Sequence, residues 1–260
     1  MLILRLILSV ILMALTAPAL AGETLVYKDG DVTLEGYLAR AEGVSGDTPV
    51  VLIVHQWKGP GEYERSRADL LAAQGYHAFV IDMYGQGIRP QTPQAAGAEA
   101  GKYKNDPVLA RKRLNAALDF IKTQPGIDGS NIAIIGYCFG GTMALELARS
   151  GADIAAAISF HGGLASKAPS TAPGVIKAAI QVHHGAADPH VPEAEIRAFT
   201  EEMTQAGADW SLTMYGGAVH SFTEKEAGND PSKGAAYNEK ADLRSWAAAL
   251  NFLNEAFNSQ

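Results

Sequence analysis

Residues 131–147, NIAIIGYCFGGTMALEL, constrain the fold more than any other stretch. Four apolar residues, Ile132 to Ile135, read as a buried strand. Gly136-Tyr137-Cys138-Phe139-Gly140-Gly141 reads as a tight turn, and a helix pattern follows. G-x-C-x-G between a strand and a helix is a thiol version of the G-x-S-x-G nucleophile elbow. A nucleophile at such a turn takes a strained backbone, and flanking glycines leave room for it, since side chains there would collide with neighbouring backbone. Cys138 would stand at the N-terminus of the helix, where free N–H groups and the helix dipole favour a thiolate. A lone Cys after a strand is otherwise often a small core residue; the glycines tip the reading to a nucleophile.

The chain of 260 residues is 47% hydrophobic and rich in Gly, which suits one α/β domain with a large core. A net charge of -7 without a basic cluster argues against nucleic acid as a partner. Residues 1–15 form an apolar run interrupted by Arg5 and Ser9, and Ala19-Leu20-Ala21 supplies an A-x-A cleavage pattern. Residues 1–21 are therefore expected to be a signal peptide, and residues 22–260 a single domain in the periplasm or outside the cell. No stable membrane association is expected after cleavage; the competing reading is an uncleaved anchor, for which the run is short. An exported chain with a single Cys forms no internal disulfide, so the thiol is either inert or a free nucleophile. A redox sensor would lack a resolving Cys.

Residues 24–28 and 32–41 read as an antiparallel edge hairpin turning at Asp29-Gly30-Asp31. Residues 49–54 form a continuous apolar strand, buried on both faces, that opens into His55-Gln56-Trp57-Lys58-Gly59-Pro60-Gly61. A helix is expected over 62–74, a strand over 76–83, and a loop over 84–106 with a short helical piece at 95–103. A helix over 107–123 follows, with Asp106 as N-cap. Residues 124–130 read as a turn. After the elbow helix, strands are expected over 154–160, 178–183 and 210–215, with helices over 192–206 and 233–257. Alternating strands and helices imply a mostly parallel sheet with helices on both faces.

A thiol nucleophile needs a base, and the base an orienting group. Asp188 follows the strand ending at His183, and His220 follows the strand ending at Tyr215. The order nucleophile, acid, histidine is that of the α/β-hydrolase arrangement. Taken singly, Asp188 reads as a turn opener before Pro189 and His220 as a satisfied core histidine; with the elbow they read as a triad. Five of seven histidines (His55, His161, His183, His184, His220) fall at strand ends. No H-x-H or H-x-x-x-H spacing occurs, so neither a metal nor another cofactor is expected.

The elbow, the loop around Asp188, Val219-His220-Ser221-Phe222 and Asp82-Met83-Tyr84 together resemble the dienelactone hydrolase family of α/β-hydrolases, over the chain from Leu25 onward. The resemblance implies the α/β-hydrolase fold and a small-molecule ester or lactone substrate. It also implies attack by Cys138, proton transfer by His220 oriented by Asp188, and an oxyanion hole from the backbone N–H groups of Trp57 and Phe139. Gln56 stands where the family carries a Glu beside the thiol. Gln86 and Glu224 stand where it carries two substrate-binding arginines, with Arg89 and Lys225 displaced. A neutral substrate is therefore expected, in a pocket that includes Gln56, Tyr84, Tyr137 and Phe222. The rival reading is a degenerate hydrolase scaffold that binds a ligand or partner. Whether the chain is a monomer or a dimer stays open.

Overall fold

The computed structural model describes residues 22–258. The expected signal peptide lies outside the described residues. Eight strands form one sheet: β1 (Glu23–Asp29), β2 (Val32–Ala39), β3 (Thr48–Val54), β4 (His77–Ile81), β5 (Ile127–Tyr137), β6 (Ala156–Phe160), β7 (Ala179–Gly185) and β8 (Trp210–Tyr215). Their spatial order is β1-β2-β4-β3-β5-β6-β7-β8. β1 and β2 form the antiparallel edge hairpin, with Asp29 opposite Val32 and Gly30 at φ 58° in its two-residue turn. β2 pairs antiparallel with β4, and every pair from β4 to β8 is parallel.

Among the described residues five α-helices lie between strands, α1 (Glu62–Ala72), α2 (Pro93–Lys104), α3 (Pro107–Lys122), α4 (Phe139–Arg149) and α5 (Glu193–Gln205), and α6 (Glu239–Asn258) follows β8. The period-2 geometry of β3 explains its unbroken apolar run. Val50, Leu52 and Val54 enter the core shared with α3 and α4, while Val51 and Ile53 enter the core shared with α1 and α6. Both sides of the strand are thus dry, as a doubly covered parallel sheet requires. On the α4 side, a buried ion cluster joins α4 to α5: Arg149 meets Glu202 at 2.8 Å and Glu146 at 3.3 Å.

Three elements differ from the sequence expectation. The segment over 84–106 carries a full helix, α2, capped by the Thr92 hydroxyl, which accepts the Ala95 N–H at 3.2 Å. β5 starts at Ile127 rather than near Ile132, because residues expected to turn pair irregularly alongside β3 before the regular register begins at Val50 and Ile132. The last helix starts at Glu239 rather than Lys233. Pro231–Lys233 forms one 3-10 turn, closed by Gly234 at φ 79°. Residues 234–236 then pair with the backbone of His220. Asn238 starts the helix, its side chain accepting the Ala241 N–H at 3.1 Å.

The sheet's chain path runs from β3 outward to β4 and then returns to β5 on the other side of β3. Such a reversal opens a crevice at the carboxyl ends of the strands. The loops after β3 and β5 meet there, which sets Trp57 and Cys138 at the same edge.

Candidate active site

Cys138 adopts φ 55°, ψ -117°, a conformation that L-residues rarely hold. The reason is local. A Cβ on Gly136 would lie 2.0 Å from the Gly140 carbonyl oxygen, and one on Gly140 would lie 2.2 Å from the Val54 carbonyl oxygen. Only glycine at both positions lets α4 start this close to β3 and β5, so the turn must be sharp and its central side chain is pushed outward. Cys138 is accordingly half-buried while its neighbours Tyr137 and Phe139 are buried.

The three residues expected to act together are brought together. His220 Nε2 stands 3.0 Å from Cys138 Sγ, and His220 Nδ1 stands 2.8 Å from Asp188 Oδ2. The other Asp188 oxygen accepts the His190 N–H at 2.8 Å. Asp188 thus has one oxygen fixed by the backbone and the other aimed at the imidazole. Burial pushes the Asp188 carboxyl up, but the bond to His220, its charge and the His190 N–H outweigh it and hold the group below the usual carboxylate value. Burial disfavours a charged His220. Its bonds to Asp188 and Cys138, with their charges, overcome that and push it up to about 10. The backbone of His220 is clamped as well: its N–H donates to the Gly234 carbonyl at 3.2 Å, and its carbonyl accepts the Ala236 N–H at 3.0 Å. This clamp is the segment read from the sequence as the start of the last helix.

The loop after β3 is held from both ends by hydrogen bonds. Glu64, on the first turn of α1 and 2% exposed, accepts the Gln56 N–H at 3.1 Å and the Gly61 N–H at 2.9 Å. The Gln56 carbonyl accepts from His55 Nδ1 and from the Gly59 N–H. The Trp57 carbonyl accepts the Tyr84 hydroxyl at 2.9 Å. The Trp57 N–H has no acceptor among the described residues. Phe139 is the first residue of α4, so its N–H has no intrahelical acceptor either. Burial pulls His55 down to about 4, which keeps it neutral, with Nε2 free to accept the Met83 N–H at 3.1 Å.

The four side chains expected in a pocket divide. Gln56 lines a cavity of about 740 Å³ between α1, α6 and the loop after His220, with Trp57 and Ser221 also on its wall. Tyr84, Tyr137 and Phe222 are core residues instead. Tyr84 packs against His55 and Phe139. Tyr137 is fully buried against Phe160 and Tyr63, and Phe222 is fully buried against Tyr215. Residues at strand ends face in or out according to sheet and helix packing, and here they face in. Glu224 reaches the cavity beside Lys58 and Lys225, giving its wall both signs of charge. Arg89 turns to the Ile88 carbonyl at 2.9 Å and lies 3.9 Å from Asp82. Gln86 bonds Glu35 at 3.0 Å.

Two site residues were not singled out for a role from the sequence. Glu64 stands three positions after Gly61, the spacing of a capping box, and that pattern could have flagged it. His161 accepts the Cys138 N–H on Nδ1 at 3.1 Å. It was visible only as one of several strand-end histidines.

Comparison with known proteins shows the family of the fold. Residues 34–257 match the model of the dienelactone hydrolase family. A dienelactone hydrolase-like promiscuous phosphotriesterase from metagenomic libraries superposes with a TM-score of 0.85 at 37% identity, covering 91% of this chain and 98% of that one. A solved structure named m3DLH gives a TM-score of 0.86 at 36% identity, over 91% of this chain and 98% of that one. A Bradyrhizobium sp. protein named "Probable 2-oxo-3-(5-oxofuran-2-ylidene)propanoate lactonase" is 28% identical over 218 residues, 79% of this chain and 87% of its own length. The chain therefore belongs to the dienelactone hydrolase family, hydrolases of ester and lactone bonds.

Proposed function

We propose that the protein is an exported thiol hydrolase that cleaves a small neutral ester or lactone through a thioester on Cys138. The observation that carries this reading is the unbroken line Cys138 Sγ, His220 Nε2, His220 Nδ1, Asp188 Oδ2, with spacings of 3.0 and 2.8 Å. His220 takes the thiol proton, and Sγ adds to the substrate carbonyl carbon. The N–H groups of Trp57 and Phe139 receive the developing oxyanion. Collapse expels the alcohol, which takes the proton back from His220. Water then gives a proton to His220 while its oxygen attacks the thioester, and release of the acid restores Cys138. In a lactone the alcohol and acid stay in one molecule.

The raised affinity of His220 for a proton fits an imidazolium that holds the thiol proton between Cys138 and Asp188. Gln56 replaces a carboxylate beside the thiol, so activation of Cys138 rests on His220 and the start of α4. Gln86 and Glu224 stand where the family carries two substrate-binding arginines, which favours a substrate without net charge. Export rests on residues 1–21 and is checked by the N-terminus of the secreted protein, expected at Gly22. An N-terminus at Met1 in a membrane fraction would overturn it.

Hydrolysis of a short p-nitrophenyl ester by the wild type and by Cys138→Ala tests the mechanism. Turnover that disappears in the variant supports it. Retention of more than a few percent with an intact fold contradicts it. No turnover in the wild type would favour the rival reading, a ligand-binding scaffold. The 37% identical relative is a promiscuous phosphotriesterase, which gives a second substrate class to try. A p-nitrophenyl phosphotriester should be turned over by the same thiol, so the same variant should abolish that activity too.

A further inference from the structure

His161 is the first residue after β6, is fully buried, and holds φ 41°. Only three non-glycine residues have positive φ among the described residues: Cys138, His161 and Ser221. The first is the nucleophile of the proposed mechanism and the third follows its base. Strain of this kind persists where the surrounding structure over-determines it, and it clusters at active sites. The ring explains what His161 is held for. Its Nδ1 lies 3.1 Å from the Cys138 N–H, which also donates to the Phe160 carbonyl at 3.0 Å. Its Nε2 lies 2.8 Å from Thr223 Oγ1. Its plane meets the His220 ring edge-on, at 5.4 Å between centroids.

The tautomer follows without further assumption. A backbone N–H can only donate, so Nδ1 must carry a lone pair. In a neutral ring the proton is then on Nε2, and Thr223 Oγ1 accepts it. Thr223 shares a short hydroxyl bond with Tyr63 at 2.6 Å. Tyr63 in turn accepts from Arg67 Nε at 3.2 Å, and Arg67 is paired with Asp242 at 2.7 Å. A relay thus runs from the Arg67–Asp242 ion pair between α1 and α6 to the peptide of the nucleophile. Burial, with the charges of His220 and Arg67, keeps His161 neutral, as an acceptor on Nδ1 requires.

We propose that His161 is a positioning residue for the nucleophile. Its neutral Nδ1 fixes the plane of the Tyr137–Cys138 peptide and so the φ that aims Sγ at His220, while its ring limits the swing of the His220 imidazole. The proposal rests on Cys138 being the nucleophile. His161 touches no reacting atom, so its effect falls on kcat rather than on substrate binding.

Two substitutions separate the ring's two ends. His161→Asn sets an amide oxygen near the position of Nδ1 and tolerates positive φ. His161→Gln sets its amide near the position of Nε2 and leaves the Cys138 N–H without a side-chain acceptor. The assay is p-nitrophenyl ester turnover, with Cys138 alkylation by iodoacetamide and thermal unfolding measured on the same samples. His161→Gln is expected to lose about 10- to 100-fold in kcat with KM within about twofold, and to slow alkylation. His161→Asn should stay within about fivefold of wild type on both readouts while unfolding at nearly the same temperature as the Gln variant. Wild-type kcat in His161→Gln, or equal losses in both variants that track their unfolding temperatures, would overturn the proposal. Should His161→Gln fail to fold, the near-isosteric Thr223→Val carries the test. It removes the acceptor for Nε2–H, and undiminished kcat there would overturn the proposal as well. Cys138→Ala is run alongside: retained turnover in it overturns the nucleophile reading and this proposal together. Lost turnover in it beside full turnover in His161→Gln overturns this proposal alone.

Discussion

Replacing Asp188 by Asn removes both the charge and the acceptor that orient His220. The side chain keeps its shape, and an amide oxygen can still accept the His190 N–H that Asp188 accepts at 2.8 Å. What is lost is the negative charge 2.8 Å from His220 Nδ1, and the amide NH2 that takes its place donates to Nδ1, which puts the proton of the neutral ring on Nε2, the nitrogen that faces Cys138. That charge matters most when His220 is an imidazolium, in the steps where it holds the thiol or water proton. Two unit charges whose centres are about 4 Å apart attract by about 4 kcal/mol at the effective dielectric of a protein surface. A charge-assisted hydrogen bond measured by mutation is worth about 1.5–3 kcal/mol. The charge alone, at about 2–4 kcal/mol of transition-state stabilisation, gives a fall in kcat/KM of about 30- to 1,000-fold, and the reversed tautomer of His220 deepens it. The loss should be smaller than in Cys138→Ala or His220→Ala, since Asp188 orients and does not react. Steady-state hydrolysis of a p-nitrophenyl ester, with circular dichroism and an unfolding midpoint on the same sample, reads both sides. A loss under threefold would refute the orienting role. A loss accompanied by an unfolded spectrum would show that Asp188 is structural.

Other consequences follow from the same contacts. Glu64→Gln puts an amide N–H against one of the two N–H groups that Glu64 accepts. It should loosen the Trp57 loop and lower kcat about 10-fold with little change in KM; unchanged kcat would remove Glu64 from the account of the loop. Gly140→Ala would set a methyl group 2.2 Å from the Val54 carbonyl oxygen and 2.7 Å from that of His55. Both contacts are backbone, so soluble, folded protein should be lost, and a stable, active variant would contradict the packing of the elbow. Arg149→Met takes the guanidinium partner from the buried Glu202, while Glu146 keeps Arg111 at 2.9 Å, and should cost about 3–5 kcal/mol in urea unfolding. A change below about 1 kcal/mol would show that the cluster relaxes or protonates without penalty. His220 is pushed from an ordinary 6.5 up to about 10 in the folded state. Its stabilising contribution is thus complete below pH 6.5 and lost as pH rises through about 10. Asp188, held low, contributes above the usual carboxylate value and loses its contribution as pH falls through its lowered one. The urea midpoint of the wild type should fall between pH 6.5 and 10 more steeply than that of His220→Gln, and parallel curves would contradict the shift.

The elbow and the strand-end positions of Asp188 and His220 could be read from the sequence because their signals are local. Glycines two residues either side of Cys138 report a backbone constraint, and Asp188 and His220 each follow a strand in the order the fold demands. The strand over Trp210–Tyr215 was likewise bounded by its own residues. Contacts between distant segments were not visible. The chain after Lys233 looks helical in composition, yet Pro231, Gly234 and pairing with His220 delay α6 to Glu239. Tyr137 and Phe222 are aromatic and beside the site, but which way they face is decided by Phe160, Tyr63 and Tyr215 from elsewhere in the chain. His161 meets Cys138 across 23 residues of sequence, and nothing in its neighbours announces that contact.

A covalent thioester on Cys138, the intermediate proposed for hydrolysis, can be trapped. The wild type is mixed with a p-nitrophenyl ester whose bulky acyl group slows deacylation, quenched in acid within the turnover time, and digested for mass spectrometry. One acyl adduct per chain is expected, on the peptide carrying Cys138, labile to hydroxylamine and accumulating further in a variant whose deacylation is slowed. Turnover with no adduct, or an adduct on Ser221 or another hydroxyl, would contradict it.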